Sequence, residues 1–301
     1  RTAAAIADRA GPSVTLAFIV AGVGCAFAGL CYAEFASMIP VAGSAYTYSY
    51  ATMGEFLAWI IGWDLVLEYA VGAATVAIAW SEYANRVLEW FGWRIPYEWT
   101  HGPFESAAGV TGIMNVPAVF ILAILSLLLM RGTRESAFVN NIIVIVKVAI
   151  VLMVIAIGWG FINPANHTPF IPEPTTYTTP LGVTHAYGGL MGILGAAGVV
   201  FFAYIGFDAV STAAQEAKNP SRDMPIGILG SLVICTVLYV LFAYVLSGVA
   251  SVEDFRSTGR EASVAFAISK YMTGYEWLSR GVTIAILAGF SSVILVMLLG
   301  Q

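Results

Sequence analysis

The chain is poor in charge: Lys, Arg, Asp and Glu together make up only 10% of its 301 residues. It has no basic cluster and a formal net charge of -5, which argues against a nucleic-acid partner. Only three cysteines and three histidines are present. Cys25, Cys31 and Cys235 all fall inside apolar runs, where they read as small packing residues rather than disulfide halves or metal ligands. His101, His167 and His185 stand in polar connectors with no ligand spacing between them, so the sequence gives little support to a metal site. No Ser or Cys nucleophile beside a base is visible either. The chain therefore reads as no enzyme, and no cofactor is implied.

What the chain has in abundance is apolar length. It is 59% hydrophobic, with a mean hydropathy of +0.84. A spanning helix needs roughly 20 apolar residues, and seven windows qualify, near Pro12–Ala33, Phe56–Trp80, Val110–Met130, Phe138–Phe161, Gly188–Ala214, Ile226–Ala250 and Gly281–Gly300. The alternation of a barrel strand is absent. The expected fold is therefore an all-α polytopic membrane protein, read as one transmembrane domain over residues 1–301. Between the spans, residues 34–53 read as a short connector rich in Gly, Ser and Tyr, and residues 81–109 as a Trp-bearing membrane-surface segment. Residues 162–187, with five prolines, read as an irregular exposed loop, and Val264–Tyr271 as a short amphipathic surface helix. Arg1 is no initiator and Gln301 closes an apolar run abruptly, so a piece of a longer protein is expected.

Against this background the few buried charges stand out. Glu68 lies in the middle of an apolar stretch with Asp64 one helical turn before it, and Lys147 and Asp208 are embedded in others. An ionisable group at bilayer depth costs roughly 3 kcal/mol on insertion scales and commonly marks a pathway or site. The i,i+4 spacing of Asp64 and Glu68 stacks both carboxylates on one helix face, expected to be the protein interior. A structural ion pair is the plainer alternative. Lys147 lies about nine residues, or roughly 14 Å, from its helix start, a strained distance for snorkelling to the surface. Gly188–Ala214 is the least regular window, with six glycines and then Asp208. A break at Phe202–Gly206 would free carbonyls on one side and amides on the other, with Asp208 in the first turn of a second half-helix. Close helix packing through small residues is the competing explanation of those glycines.

Several segments match a known pattern. Cys31-Tyr32-Ala33-Glu34-Phe35-Ala36 with Pro40-Val41-Ala42-Gly43-Ser44-Ala45-Tyr46 resembles the helix-two to helix-three region of the amino acid–polyamine–organocation superfamily. More narrowly, it resembles the cationic amino acid transporter family. Gly62-Trp63-Asp64-Leu65 with Glu68-Tyr69 resembles the third helix of that family. Phe201-Phe202-Ala203-Tyr204-Ile205-Gly206-Phe207-Asp208, followed by Glu216-Ala217-Lys218-Asn219-Pro220, resembles its sixth helix and the loop after it.

The resemblance implies a LeuT-type five-plus-five inverted-repeat fold, of which this chain would supply helices two to eight. It implies a permease of the cell membrane carrying amino acids, with protons as the coupling ion, and it places the 131–141 and 215–225 connectors in the cytoplasm. Carbonyls of Phe202, Ala203 and Ile205 would accept a substrate ammonium, with Phe202 as a gate. Glu68, supported by Asp64, would favour cationic side chains. Lys147 would stand where sodium sits in sodium-coupled relatives, lined by Ser291 and Ser292, with Asp208 nearby in the same cation system. Without the resemblance, Ser291 and Ser292 could simply bond back to carbonyls one turn earlier. An amino acid exchanger or sensor of the same fold is the alternative the resemblance leaves open; a seven-helix receptor is the lesser rival, suggested by the span count, but Gly281–Gly300 has no lysine for a Schiff base. Oligomeric state leaves no trace in the sequence.

Overall fold

The computed structural model describes residues 2–39, 41, 43–107, 109–131, 134–179, 182–211, 217–257 and 263–301. Pro40 and Ala42 of the helix-two motif, Pro180, Ala214 at the end of the expected fifth span, Glu216 and Arg260 lie outside the described residues. In chain order the helices are α1 (Thr2–Ala5), α2 (Val14–Met38), α3 (Ser44–Met53), α4 (Glu55–Glu89), α5 (Val116–Arg131), α6 (Arg134–Gly158), α7 (Gly189–Val200), α8 (Pro220–Val249), α9 (Val252–Ser257), α10 (Ser263–Tyr271) and α11 (Glu276–Gly300). Among the described residues, two short antiparallel hairpins interrupt them: β1 (Ser106–Ala107) with β2 (Val110–Thr111), and β3 (Thr175–Thr178) with β4 (Thr184–Tyr187). Among the described residues, six helical stretches are long and apolar enough to cross a membrane, and Val116–Met130 is a shorter apolar helix. The architecture is that of an all-α polytopic membrane protein.

The chain forms two compact units. The first comprises Arg1–Gly62 and Val151–Thr273. In it α2 packs along α8, and small residues set the approach: a Cβ on Gly29 would stand 3.3 Å from Leu232 and 3.5 Å from Leu229. The opposite face of α2 exposes Ile19, Val20, Val23, Phe27 and Leu30, an apolar surface suited to lipid. α8 begins six residues earlier than the apolar run suggests. Pro220 occupies its first turn, and the Asp223 carboxylate accepts the Asn219 amide at 3.1 Å while the Asp223 amide donates to the Asn219 carbonyl.

The segment between α1 and α2 is a wide π-type turn (Ile6–Ala10) followed by a 3-10 turn (Gly11–Ser13). It is held from two sides within the unit. The Gly188 amide donates to the Arg9 carbonyl at 2.8 Å. Nε of Arg256 on α9 donates to the Ala7 carbonyl at 2.9 Å, while its guanidinium lies over the rings of Tyr177 and Tyr187 at 4.1 and 4.6 Å. α9 is tied to α10 through Asp254, which accepts hydrogen bonds from Ser251, Tyr271 and, at 2.6 Å, Lys270. Burial works against that carboxylate, but the donors of Lys270, Ser251 and Tyr271 outweigh it and hold the carboxyl below its usual range.

The 162–187 connector is therefore more ordered than its prolines suggest. Pro174 precedes β3, so the Thr-Thr-Tyr-Thr run pairs with Thr184–Tyr187 without a proline in either strand. Nearby, His167 sits against Tyr244 and Ser247, where burial lowers its basicity, partly countered by a bond to the Tyr244 backbone.

The second unit comprises Trp63–Ile150 and Gly274–Gln301. There α11 packs on α5 and runs beside α4, with Tyr83 meeting Phe290 edge-on at 5.9 Å. α5 starts at Val116 rather than near Val110. The Asn115 side chain caps it by accepting the Ala118 amide at 3.1 Å and donates to Ser81 Oγ at 2.8 Å, and Pro117 fits the first turn. The 34–53 stretch is likewise not all connector. Ser44–Met53 is helical and is separated from α4 by Gly54, whose φ of +91° only glycine adopts freely.

Gly192 on α7 is the tightest helical contact with the N-terminal segment, since a Cβ there would stand 2.4 Å from the Arg9 carbonyl oxygen. Gly192→Ala is expected to destabilise the protein by about 1–3 kcal/mol, the cost of overpacking against backbone. Gly198→Ala on the same helix, where a Cβ meets open space, is expected to be neutral or slightly stabilising. Thermal denaturation in detergent, followed by tryptophan fluorescence, checks the pair; equal midpoints would contradict the close approach.

Candidate functional site

α7 loses its α-helical ladder at residue 200. Phe201–Tyr204 winds into a 3-10 turn, Ile205 is extended (φ -55°, ψ 132°), and Gly206 takes φ +107°, a conformation disfavoured for any residue with a Cβ. The Phe207 amide turns to the Tyr204 carbonyl at 3.4 Å, and Ala209–Ser211 forms one further 3-10 turn. The helix is thus discontinuous where the sequence suggests. Asp208 is 5% exposed, and its carbonyl accepts both the amide and the hydroxyl of Ser211 at 2.9 and 2.6 Å. It therefore sits in a turn before a short 3-10 segment, and the residues that would continue a second half-helix, 212–216, lie outside the described ones.

Phe202, Ala203 and Ile205 are all half-buried along this break. The Ala203 carbonyl accepts the hydroxyl of Tyr239 on α8 at 2.9 Å. The adjacent Tyr204 is buried, and its hydroxyl donates to the Phe18 carbonyl on α2 at 2.8 Å. Neither tyrosine is marked by spacing or composition. Their roles become visible only when α2, α7 and α8 are assembled.

The second unit holds the other candidates. Asp64 and Glu68 lie one turn apart on α4, and both are exposed in that unit. Lys147 on α6 is half-buried, and its alkyl chain lies against Gly289 of α11: a Cβ there would meet Lys147 Cε at 2.9 Å and Cδ at 3.0 Å. Lys147 is thereby brought to the stretch of α11 that carries Ser291 and Ser292. Ser291 Oγ donates to the Leu287 carbonyl at 2.9 Å, the bond one turn back that its type allows, and also accepts Trp80 Nε1 at 3.0 Å. Trp80 on α4 therefore orients a candidate hydroxyl. Ser292 is buried. Among the described residues no group of three His, Cys, Asp or Glu side chains is arranged to hold a metal ion.

A membrane-length helix broken at mid-course is a feature found in polytopic transport proteins. Residues 2–301 match the amino acid permease family, and the chain belongs to that family. It is 41% identical over 295 residues to the branched-chain amino acid permease BcaP of Bacillus subtilis, covering 98% of this chain and 59% of the relative. It is 39% identical over 300 residues to the methylthioribose transporter of the same organism, covering 100% of this chain and 60% of the relative. Cationic amino acid transporter 9, chloroplastic, of Arabidopsis thaliana is 39% identical over 295 residues, covering 97% of this chain and 48% of the relative. The chain thus spans between about half and three-fifths of the length of these relatives.

Because a Cβ at Gly289 meets only the flexible stem of Lys147, Gly289→Ala is expected to displace the lysine rather than disturb the fold. Thermal stability should change by less than about 0.5 kcal/mol, read from the midpoint of thermal denaturation in detergent. A larger loss would show that the stem of Lys147 cannot give way.

Proposed function

We propose that the whole protein is a secondary active transporter of the cell membrane that carries an amino acid, coupled to protons, with the substrate bound at the interrupted segment around Phe202–Gly206. The discontinuity itself carries this reading. Non-helical backbone at membrane depth is tolerated only where protein or a water-filled cavity satisfies it, and such breaks are where transporters bind solutes. Carbonyls of Phe202, Ala203 and Ile205 suit an ammonium group, and the Phe202 ring suits a gate. The names of the relatives support the class of solute, since they include a branched-chain amino acid permease and a cationic amino acid transporter.

Glu68, with Asp64 one turn before it, gives preference for cationic side chains. Lys147 is the coupling group, with Ser291, Ser292 and Asp208 in the cation system. Its placement against Gly289 supports this role: an amine carried by one helix and packed on another can hold the two while protonated and release them when neutral.

Labelled uptake of L-leucine, L-alanine, L-arginine and methylthioribose by the whole protein in proteoliposomes tests the reading. Phe202→Ala is expected to lose uptake of every carried amino acid at equal expression. Glu68→Gln should lose arginine uptake more than alanine uptake. Lys147→Ala should abolish accumulation driven by an inward proton gradient, and sodium should have no effect on the wild type. Uptake of methylthioribose alone would replace the amino acid as the solute, and sodium-stimulated uptake would remove the coupling role of Lys147.

A further inference from the structure

Two tyrosine hydroxyls hold the broken segment, and they reach it from opposite directions. Tyr239, on α8, donates to the Ala203 carbonyl at 2.9 Å. Tyr204, within the break, donates outward to the Phe18 carbonyl of α2 at 2.8 Å. The two rings meet edge-on, with centroids 5.3 Å apart and planes at 86°, and Tyr239 also packs on Phe18 at 5.6 Å. Consecutive residues of the break are thus tied to two different helices.

The bond from Tyr239 answers a need created by the break. In an unbroken helix the Ala203 carbonyl would accept the Phe207 amide, but that amide turns to Tyr204 instead. A carbonyl deprived of its helical partner at low dielectric needs another donor, and Tyr239 supplies one while leaving a second lone pair. Tyr204 reaches the backbone of α2 only because residue 22 has no side chain. A Cβ on Gly22 would stand 3.0 Å from the Tyr204 hydroxyl oxygen and 2.9 Å from Thr236 Cγ2.

We propose that Tyr239 and Tyr204 are positioning residues of the substrate site, fixing the Ala203 carbonyl so that its second lone pair faces the incoming ammonium, with Gly22 as the socket that admits Tyr204. The proposal rests on the reading of the break as the substrate site.

Two measurements on the whole protein test it. In lipid nanodiscs without any amino acid, Tyr239→Phe should speed hydrogen exchange in the 201–207 segment by about fivefold, the weight of one neutral hydrogen bond, while exchange in α5 stays unchanged. In proteoliposomes the same variant should raise KM for L-leucine or L-arginine, whichever the wild type carries, by about the same factor, with kcat within about twofold. Gly22→Ala should reproduce the exchange change of Tyr204→Phe, and the double variant should be no worse than Gly22→Ala.

Unchanged exchange at 201–207 would overturn the clamp. Faster exchange with an unchanged KM would overturn the positioning role, and faster exchange in α5 as well would reduce the effect to general loosening. A wild type that carries no amino acid, while the 201–207 exchange still responds, would remove the substrate reading and leave the clamp standing.

Discussion

A peptide group in hydrocarbon has no water to bond to, and every other feature of this chain is arranged around that fact. Among the described residues, Glu55–Glu89, Pro220–Val249 and Trp277–Gly300 meet it in the ordinary way, by closing their own helical ladders. The segment after Val200 does not: it narrows to a 3-10 turn, extends at Ile205 and reverses at Gly206. Each carbonyl and amide released there costs free energy unless it finds a partner. Tyr239 on α8 carries one partner, and the segment supplies others itself, in the Ser211 hydroxyl and the turn bonds of the Phe207 and Ala209 amides.

The same economy governs the charged groups. Lys147 lays its alkyl stem against Gly289, so its methylenes are packed by a helix that leaves room for them. Ser291 is pinned by Trp80 and by the carbonyl one turn earlier. Outside the apolar spans, where water screens and solvates, the charges are used differently. Asp254 gathers Ser251, Tyr271 and Lys270 to join two short helices, and Arg256 is spread over two tyrosine rings while it holds the backbone at Ala7. Glycine serves both regions, but for different reasons. Gly206 and Gly54 supply backbone angles that other residues avoid, whereas Gly22, Gly192 and Gly289 supply space.

Much of this was legible along the chain. Apolar length and the scarcity of charge determined that the protein crosses the membrane as helices, because lipid allows the backbone few other solutions. Glycines followed by Asp208 located the break, because a helix so rich in glycine is weak and a buried carboxylate asks for a reason. Tertiary structure decided the rest. The start of α5 depended on Asn115 reaching Ser81, and the helicity of Ser44–Met53 and the β3–β4 hairpin were hidden by turn-forming residues that turned out to flank or interrupt elements rather than prevent them. The bonds from Tyr239 to Ala203 and from Tyr204 to Phe18 join residues 36 and 186 positions apart. Backbone conformation in lipid is settled locally, residue by residue, and so it can be read from sequence. Which hydroxyl meets which freed carbonyl is settled by how helices pack, and no spacing along the chain encodes that.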